Sequence, residues 1–245
     1  MFDVPKDHPR YHSLIARHKL EAGLSSGITT PTGMIAQGRG EAFDYLLGEQ
    51  SGGFAISAAR AAAAQMLLAT KVVISINGNT AMLVPDEMIS LSKATGSLLE
   101  VNLFHDSPKR RKLIGEHFKK LGANILGITP DAKVDGLSSD RANVDSEGIK
   151  DADVVIVSLE DGDRTEALIR NGKKVIAIDL NPLSRTPQQA DISIIDNVIR
   201  ALPEIERQYN SLKSLSESEI SSILGVYDNK LILQSAEDKI RTPKK

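Results

Sequence analysis

Five short runs of mostly apolar, often β-branched residues recur between Val72 and Ile195, and each stops at a polar cluster. They are Val72-Val73-Ile74-Ser75-Ile76, Leu98 to Phe104, Val154-Val155-Ile156-Val157, Val175-Ile176-Ala177-Ile178 and Ile192-Ser193-Ile194-Ile195. Runs this short and this apolar read as strands buried on both faces, which is the habit of parallel sheets. Parallel neighbours need a crossover, and helical patterns separate the runs, such as Pro108 to Leu121 and Gly162 to Asn171. The pattern predicts an α/β fold: a Rossmann-like, mostly parallel sheet with helices on both faces. A chain of 245 residues fits a single such domain. We divide it into a helical N-terminal segment at about 8–70, a core at about 71–213 and a helical tail at 214–245.

In open α/β sheets, ligands bind beyond the carboxyl ends of the strands. Two successive strand ends here carry Glu160-Asp161-Gly162-Asp163-Arg164-Thr165 and Asp179-Leu180-Asn181-Pro182-Leu183-Ser184-Arg185-Thr186. Acids, arginines, Asn and hydroxyls suit a polyanion accompanied by a metal ion. A third polar strand end, Asp196-Asn197, borders the same region or caps the next helix. Asn77-Gly78-Asn79-Thr80 follows the first run and reads either as a substrate-holding loop or as a turn with a helix cap by Asn79 or Thr80. Glu160, Asp161 and Asp163 read either as a Mg²⁺ shell or as structure, with Asp163 capping the following helix and Glu160 or Asp161 paired to Arg164.

Upstream, Tyr11 to Ala22 reads as a helix flanked and lined by Arg10, His12, Arg17 and His18. Gly38-Arg39-Gly40 reads as backbone that lets a ligand come close while offering a guanidinium, or as an ordinary glycine-rich turn. Asn124 to Ile128 reads as a short strand, and Pro130 to Ser146 as a lid or a crossover loop. The basic helix from Pro108 to Leu121 reads as a solvated face. The C-terminal tail packs on the sheet edge or on a second subunit.

Composition excludes several function classes. With no Cys, there is no thiol catalysis and no disulfide. Net charge of −2 and 4% aromatic residues argue against nucleic acid as a partner. No apolar run is long enough to cross a bilayer, and Met1 to Lys6 lacks a basic-then-apolar signal pattern, so a cytoplasmic protein is expected. The P-loop and the Rossmann glycine fingerprint are both missing, so any nucleotide is held in another way.

Taken in order, these stretches resemble the archaeal phosphopantothenate synthetases, also called 4-phosphopantoate–β-alanine ligases. The matching signatures are Pro5-Lys6-Asp7-His8-Pro9-Arg10-Tyr11, Gly38-Arg39-Gly40-Glu41-Ala42-Phe43-Asp44-Tyr45-Leu46, Ile74-Ser75-Ile76-Asn77-Gly78-Asn79 and Glu100-Val101-Asn102-Leu103-Phe104. They continue through Leu159 to Leu168 and Ile178 to Arg185. The resemblance implies an ATP-dependent homodimer of coenzyme A biosynthesis, condensing 4-phosphopantoate with β-alanine through an acyl adenylate, with release of AMP and pyrophosphate.

Carried over by position, it implies ATP contacts at Arg17, Arg39, Asp179, Leu180, Asn181, Arg185, Thr186, Asn197 and Val198. Arg39, Asp163 and Glu160 are the candidate catalytic groups, with Asp161 and Asp163 as Mg²⁺ ligands. Asn77, Asn79 and Arg10 are candidates for binding 4-phosphopantoate. Relatives commonly carry His before the Gly-Arg-Gly; Gln37 stands there in this chain, so that position is given no acid/base work. Two rival readings stay open: a non-catalytic nucleotide sensor, and a different nucleotide-dependent enzyme, such as an oxidoreductase, on the same sheet.

Overall fold

The apolar runs form one parallel sheet. In the computed structural model, which describes residues 4–8 and 10–242, the helices α1 (Tyr11–Ser26), α2 (Pro31–Leu47) and α3 (Gly53–Leu67) precede it. Then follow β1 (Val72–Ile76), α4 (Gly78–Leu83), α5 (Pro85–Thr95), β2 (Leu98–Val101) and α6 (Pro108–Lys120). A small hairpin, β3 (Ala132–Lys133) and β4 (Asn143–Val144), interrupts the alternation. It resumes with β5 (Val154–Ser158), α7 (Gly162–Arg170), β6 (Lys174–Asp179), α8 (Arg185–Gln189) and β7 (Ile192–Ile195). The helices α9 (Val198–Leu212), α10 (Glu217–Gly225) and α11 (Asn229–Arg241) close the chain. Pro9 of the N-terminal signature and Lys244-Lys245 of the basic tail lie outside the described residues.

The five-stranded sheet has the order β2-β1-β5-β6-β7, with all neighbours parallel. Successive side chains on a strand point to opposite faces. Ile74, Ile76, Ile156, Ile176, Ile178 and Ile194 therefore pack with the alanines of α3, with Met88 and Leu91 of α5 and with Leu202 and Ile205 of α9. Val73, Val155, Val157, Val175 and Ala177 face Ala167 and Leu168 of α7, together with Val134, Val144 and Ile149 of the hairpin excursion. Each fully buried Val, Leu or Ile contributes about 1.5–3 kcal/mol of transfer free energy. The alanine run of α3 has another use, since small side chains let α3 approach β7 and α9 closely.

The chain first steps from β1 outward to β2, then crosses to β5 on the other side of β1. The sheet order therefore reverses between β1 and β5, and the crevice beyond their carboxyl ends is the topological switch point. At the opposite edge the tail is anchored by hydrogen bonds. The Ser193 N–H donates to Tyr227 Oη at 3.1 Å, Tyr227 Oη donates to Asn229 Oδ1 at 2.8 Å, and Asn229 Nδ2 donates to the Pro187 carbonyl at 3.0 Å. Of the two expectations for the tail, packing on the sheet edge is the one seen within this chain.

Two local expectations are corrected and a third is narrowed. Gly38-Arg39-Gly40 is neither a loop nor a turn; it lies inside α2. Thr30 caps that helix and Pro31 opens it, while Gln37, Asp44 and Leu47 are buried along one face. That packing outweighs a helix-propensity cost of about 1 kcal/mol for each glycine. Asn124 to Ile128 is not a strand, because it meets β2 through a single parallel bridge, Glu100 to Leu126. The stretch 130–146, read as a lid or a crossover loop, crosses over through the β3–β4 hairpin, and its Val134 and Val144 are buried against the sheet and α7.

Candidate functional site

At the switch point, Asn77 follows β1 and caps α4. Its Oδ1 accepts from the Asn79 and Thr80 N–H groups at 3.0 Å, and Thr80 Oγ1 accepts from the Asn77 N–H at 2.9 Å. Thus the cap is Asn77, where the sequence suggested Asn79 or Thr80. Asn77 Nδ2 reaches across the switch point to the Ser158 carbonyl at 2.7 Å and ties the ends of β1 and β5 together. Asn79 is buried, and its Nδ2 donates to the Gly33 carbonyl at 2.8 Å, which brings α2 down over the strand ends. A methyl group on Gly33 would lie 2.4 Å from Asn79 Oδ1, so that approach requires glycine.

After β5, Leu159 adopts a left-handed backbone (φ 51°), a conformation unusual for a bulky side chain. It turns Glu160 back beneath the strand end. The Glu160 carboxylate accepts from Arg141 Nη1 at 2.8 Å, from Arg164 Nη1 and from the Asp161 N–H at 2.9 Å. Arg141 and Arg164 are 5% and 0% exposed, so this is a buried ion-pair network. Burial opposes the charge on Glu160, but the two guanidiniums outweigh it and hold the carboxyl below its usual range. Of the two readings of Glu160, the pairing with Arg164 is the one seen: its side chain is 2% exposed and its oxygens are engaged, so it anchors other groups. Asp161 caps α7, accepting from the Arg164 N–H at 2.8 Å, where the sequence offered Asp163 for that role. Its carboxyl is pushed up by burial and by the neighbouring Glu160 charge.

At the end of β6, Asp179 is pushed up by burial while its carboxylate holds the loop that follows. The Asn181 N–H donates to Asp179 Oδ1 at 3.0 Å and Ser184 Oγ donates to Oδ2 at 2.7 Å. Asn181 Oδ1 accepts from the Leu183 N–H at 3.0 Å, and Leu180 is buried. Thr186 Oγ1 donates to the Glu160 carbonyl at 2.8 Å and joins the two strand ends. Arg185 reaches back to Asp163 at 2.7 Å and Glu166 at 3.3 Å, in exposed pairs. Arg39 is exposed on α2, where its positive charge acts on Asp179.

A cleft of about 420 Å³ opens between α1, α2 and the start of α9. Its lining includes Arg10, Arg17, Gln37, Asp44, Asn197 and Arg200. Glu41 holds Arg17 in a fork, with Nε to Oε2 at 3.2 Å and Nη2 to Oε1 at 2.9 Å. The Glu41 hydrogen bond raises the Arg17 pKa further. Asn197 caps α9, and Val198 is the first residue of that helix.

The structure thus brings Asn77, Asn79, Glu160 and Asp161 to the switch point, Asp179, Leu180, Asn181, Arg185 and Thr186 to the next strand end, and Arg10, Arg17, Asn197 and Val198 to the cleft or its edge. Among the described residues, no three Asp, Glu or His side chains converge to hold a metal ion by themselves. Asp161 and Asp163 sit at the head of α7, and they fit Mg²⁺ only as a carboxylate or two added to an ion carried by phosphates. The arrangement offers guanidiniums and main-chain groups that can bind and orient an anion.

Sequence reasoning gave no role to Arg141, to Arg200 or to Asp44, the last appearing only within the Gly38 to Leu46 signature. Arg141 sits in the stretch read as irregular, yet Asn102 Nδ2 grips its carbonyl at 3.0 Å and its guanidinium lies 5.8 Å from the Phe104 ring centre. A lone Arg between Asp140 and Ala142 gives no local signal of such partners.

Comparison with known proteins supplies the context. A family profile described as phosphopantothenate/pantothenate synthetase matches residues 54–243. A 4-phosphopantoate–β-alanine ligase of Methanosarcina mazei is 52% identical over 242 residues, covering 98% of this chain and 95% of its own. The protein of the same name from Thermococcus kodakarensis is 50% identical over 231 residues, covering 94% of this chain and 88% of its own. That of Methanospirillum hungatei is 48% identical over 204 residues, covering 83% and 84%.

Proposed function

The chain belongs to the phosphopantothenate/pantothenate synthetase family, and we propose from that premise how its clefts divide one ligation. The protein is a ligase that joins 4-phosphopantoate to β-alanine. The observation that carries this is the 52% identity to such a ligase across 98% of the chain. A ligation of a carboxylate with an amine needs activation, and the family implies ATP as the source.

The carboxylate of 4-phosphopantoate attacks the α-phosphorus of ATP, and the bond to the bridging oxygen breaks to release pyrophosphate. The acyl adenylate that forms carries a good leaving group. The amine of β-alanine attacks the acyl carbon, the acyl–oxygen bond breaks, AMP departs and the nitrogen loses a proton. This chain's residues bind and orient. Arg17 is held in the cleft by Glu41, and Arg39 and Arg185 stand exposed near the end of β6. These three neutralise phosphate charge as it moves in the transfer. The loop Asp179 to Asn181, with Asn197 and Val198, holds the adenosine side, and because their side chains are engaged within the protein, main-chain atoms do much of the holding. Thr186 fixes that loop against Glu160.

Asn77 and Asn79 shape the switch-point crevice for 4-phosphopantoate, and Arg10, which lines the cleft, offers a positive charge to its phosphate. Mg²⁺ supplies charge neutralisation for the phosphates when bound, with Asp161 and Asp163 as its protein ligands. We place the reaction in the cytoplasm and the active form as a homodimer. Among the described residues, no helix is long and apolar enough to cross a membrane.

The test is product analysis of purified protein with ATP, Mg²⁺, 4-phosphopantoate and β-alanine. Equal amounts of 4′-phosphopantothenate and AMP are expected. Amide formed with ADP would replace the adenylate by an acyl phosphate. ATP bound without any amide would overturn the ligase reading in favour of a sensor.

A further inference from the structure

Beneath the cleft, a closed set of polar groups joins the N-terminal helices to the end of the last strand. Asp44 of α2 is buried. Its Oδ2 accepts from Asn197 Nδ2 at 2.8 Å and from Arg200 Nη1 at 3.3 Å, and its Oδ1 accepts from Arg200 Nη2 at 2.5 Å. Arg200 Nε also donates to Asp196 Oδ1 at 2.8 Å, and Ser51 Oγ donates to Asp196 Oδ2 at 2.5 Å. The Asn197 N–H donates to Asp196 Oδ1 at 2.7 Å, while Asn197 Oδ1 accepts from the Ile199 N–H at 3.2 Å and caps α9.

Asn197 therefore has its side chain fixed at both ends: Oδ1 by its own helix and Nδ2 by Asp44. The Asp196–Arg200 pair alone, four residues apart on the same segment, would keep the guanidinium compensated. Asp44 adds a second carboxylate from across the cleft, and what that carboxylate gains is the placement of one wall against the other. Asp44, Asn197 and Arg200 all line the cleft, so a shift of this corner changes its width directly.

We propose that Asp44 is a positioning residue for the nucleotide corner: through Asn197 and Arg200 it fixes the start of α9 against α2 and so sets the affinity for ATP. The inference rests on the placing of the nucleotide given above. A charge-assisted hydrogen bond to a buried group is strong enough that its loss moves an equilibrium about tenfold. Asp44 makes no contribution to the acyl chemistry, so the effect is confined to one substrate.

The experiment compares the full-length protein with Asp44→Asn in steady-state kinetics and in calorimetric titration with ATP, after circular dichroism has confirmed folding. The expected result is an ATP KM and an ATP dissociation constant raised about tenfold, with kcat and the KM values of β-alanine and 4-phosphopantoate within about twofold. Arg200→Lys keeps the charge but loses the fork that grips both carboxylates. It is expected to show the same ATP-specific loss, and it decides the question if Asp44→Asn does not fold. Unchanged ATP affinity, or a uniform decline in all parameters in proportion to the folded fraction, overturns the proposal. If wild-type protein makes no amide, the ligase reading fails separately, and the titration still decides the role of Asp44.

Discussion

Replacing Glu160 by Gln isolates the energetics of the switch point. The substitution keeps the size of the side chain and removes one charge from a network in which Arg141 and Arg164 are 5% and 0% exposed. In the wild type, the carboxylate accepts from both guanidiniums and from the Asp161 N–H. An amide offers one acceptor oxygen, and its NH₂ group would point at a guanidinium N–H, donor against donor. Asp161 remains 3.2 Å from Arg141 Nε, but Arg164 keeps only Ser75 Oγ at 3.1 Å, a neutral partner. Removing one member of a buried pair costs about 3–5 kcal/mol, because a charge is left uncompensated in a dry site. With an m-value of about 3 kcal/mol/M, the urea midpoint falls by more than about 1 M. The comparison is Arg207→Ala, whose side chain is 63% exposed and whose pair with Glu204 is worth under about 1 kcal/mol. Equilibrium urea unfolding of both variants at neutral pH is the assay. A midpoint for Glu160→Gln that matches Arg207→Ala would refute the view that this carboxylate compensates two buried guanidiniums.

Three further outcomes are expected. Glu100 is fully buried, accepts from the Asp145 and Ile149 N–H groups at 2.9 and 2.6 Å, and is pushed by burial up to about 7. Between its ordinary value and about 7, the folded chain holds a proton that the unfolded chain has released, so this group makes stability fall as pH rises through that window. The decline is bounded at about 3 kcal/mol, and urea midpoints measured at several pH values should show it flattened in Glu100→Gln. A methyl group on Gly33 would strike Asn79, so Gly33→Ala should cost about 1–3 kcal/mol in thermal unfolding and raise the KM for 4-phosphopantoate. Unchanged kinetics in that variant would remove Asn79 from the substrate crevice. Gly148→Ala would place its methyl group 1.9 Å from Glu100 Oε2 and should destabilise the hairpin excursion, read as faster hydrogen exchange at Val134 and Val144.

The sequence by itself determined the layers. Five short apolar runs can bury both faces only as a parallel sheet, and the helical stretches between them have the length that a crossover needs. It also located the polar strand ends, since Glu160 to Thr165 and Asp179 to Thr186 break those runs abruptly. The tertiary structure decided what each polar residue does. Glu160 read either as a reacting group or as a partner of Arg164, and its carboxylate is held by Arg164 and by Arg141, which arrives from the hairpin excursion. Gly38-Arg39-Gly40 looked like a loop and is helical, because packing along the Gln37, Asp44 and Leu47 face outweighs the propensity of two glycines. The pairing of Asp44 with Arg200 carried no signal at all: they are 156 residues apart. Local pattern reports whether a side chain will be buried or wet, because that depends on the period of its own element. Which charge compensates which depends on where distant elements meet, and only the folded chain brings those groups within hydrogen-bond reach.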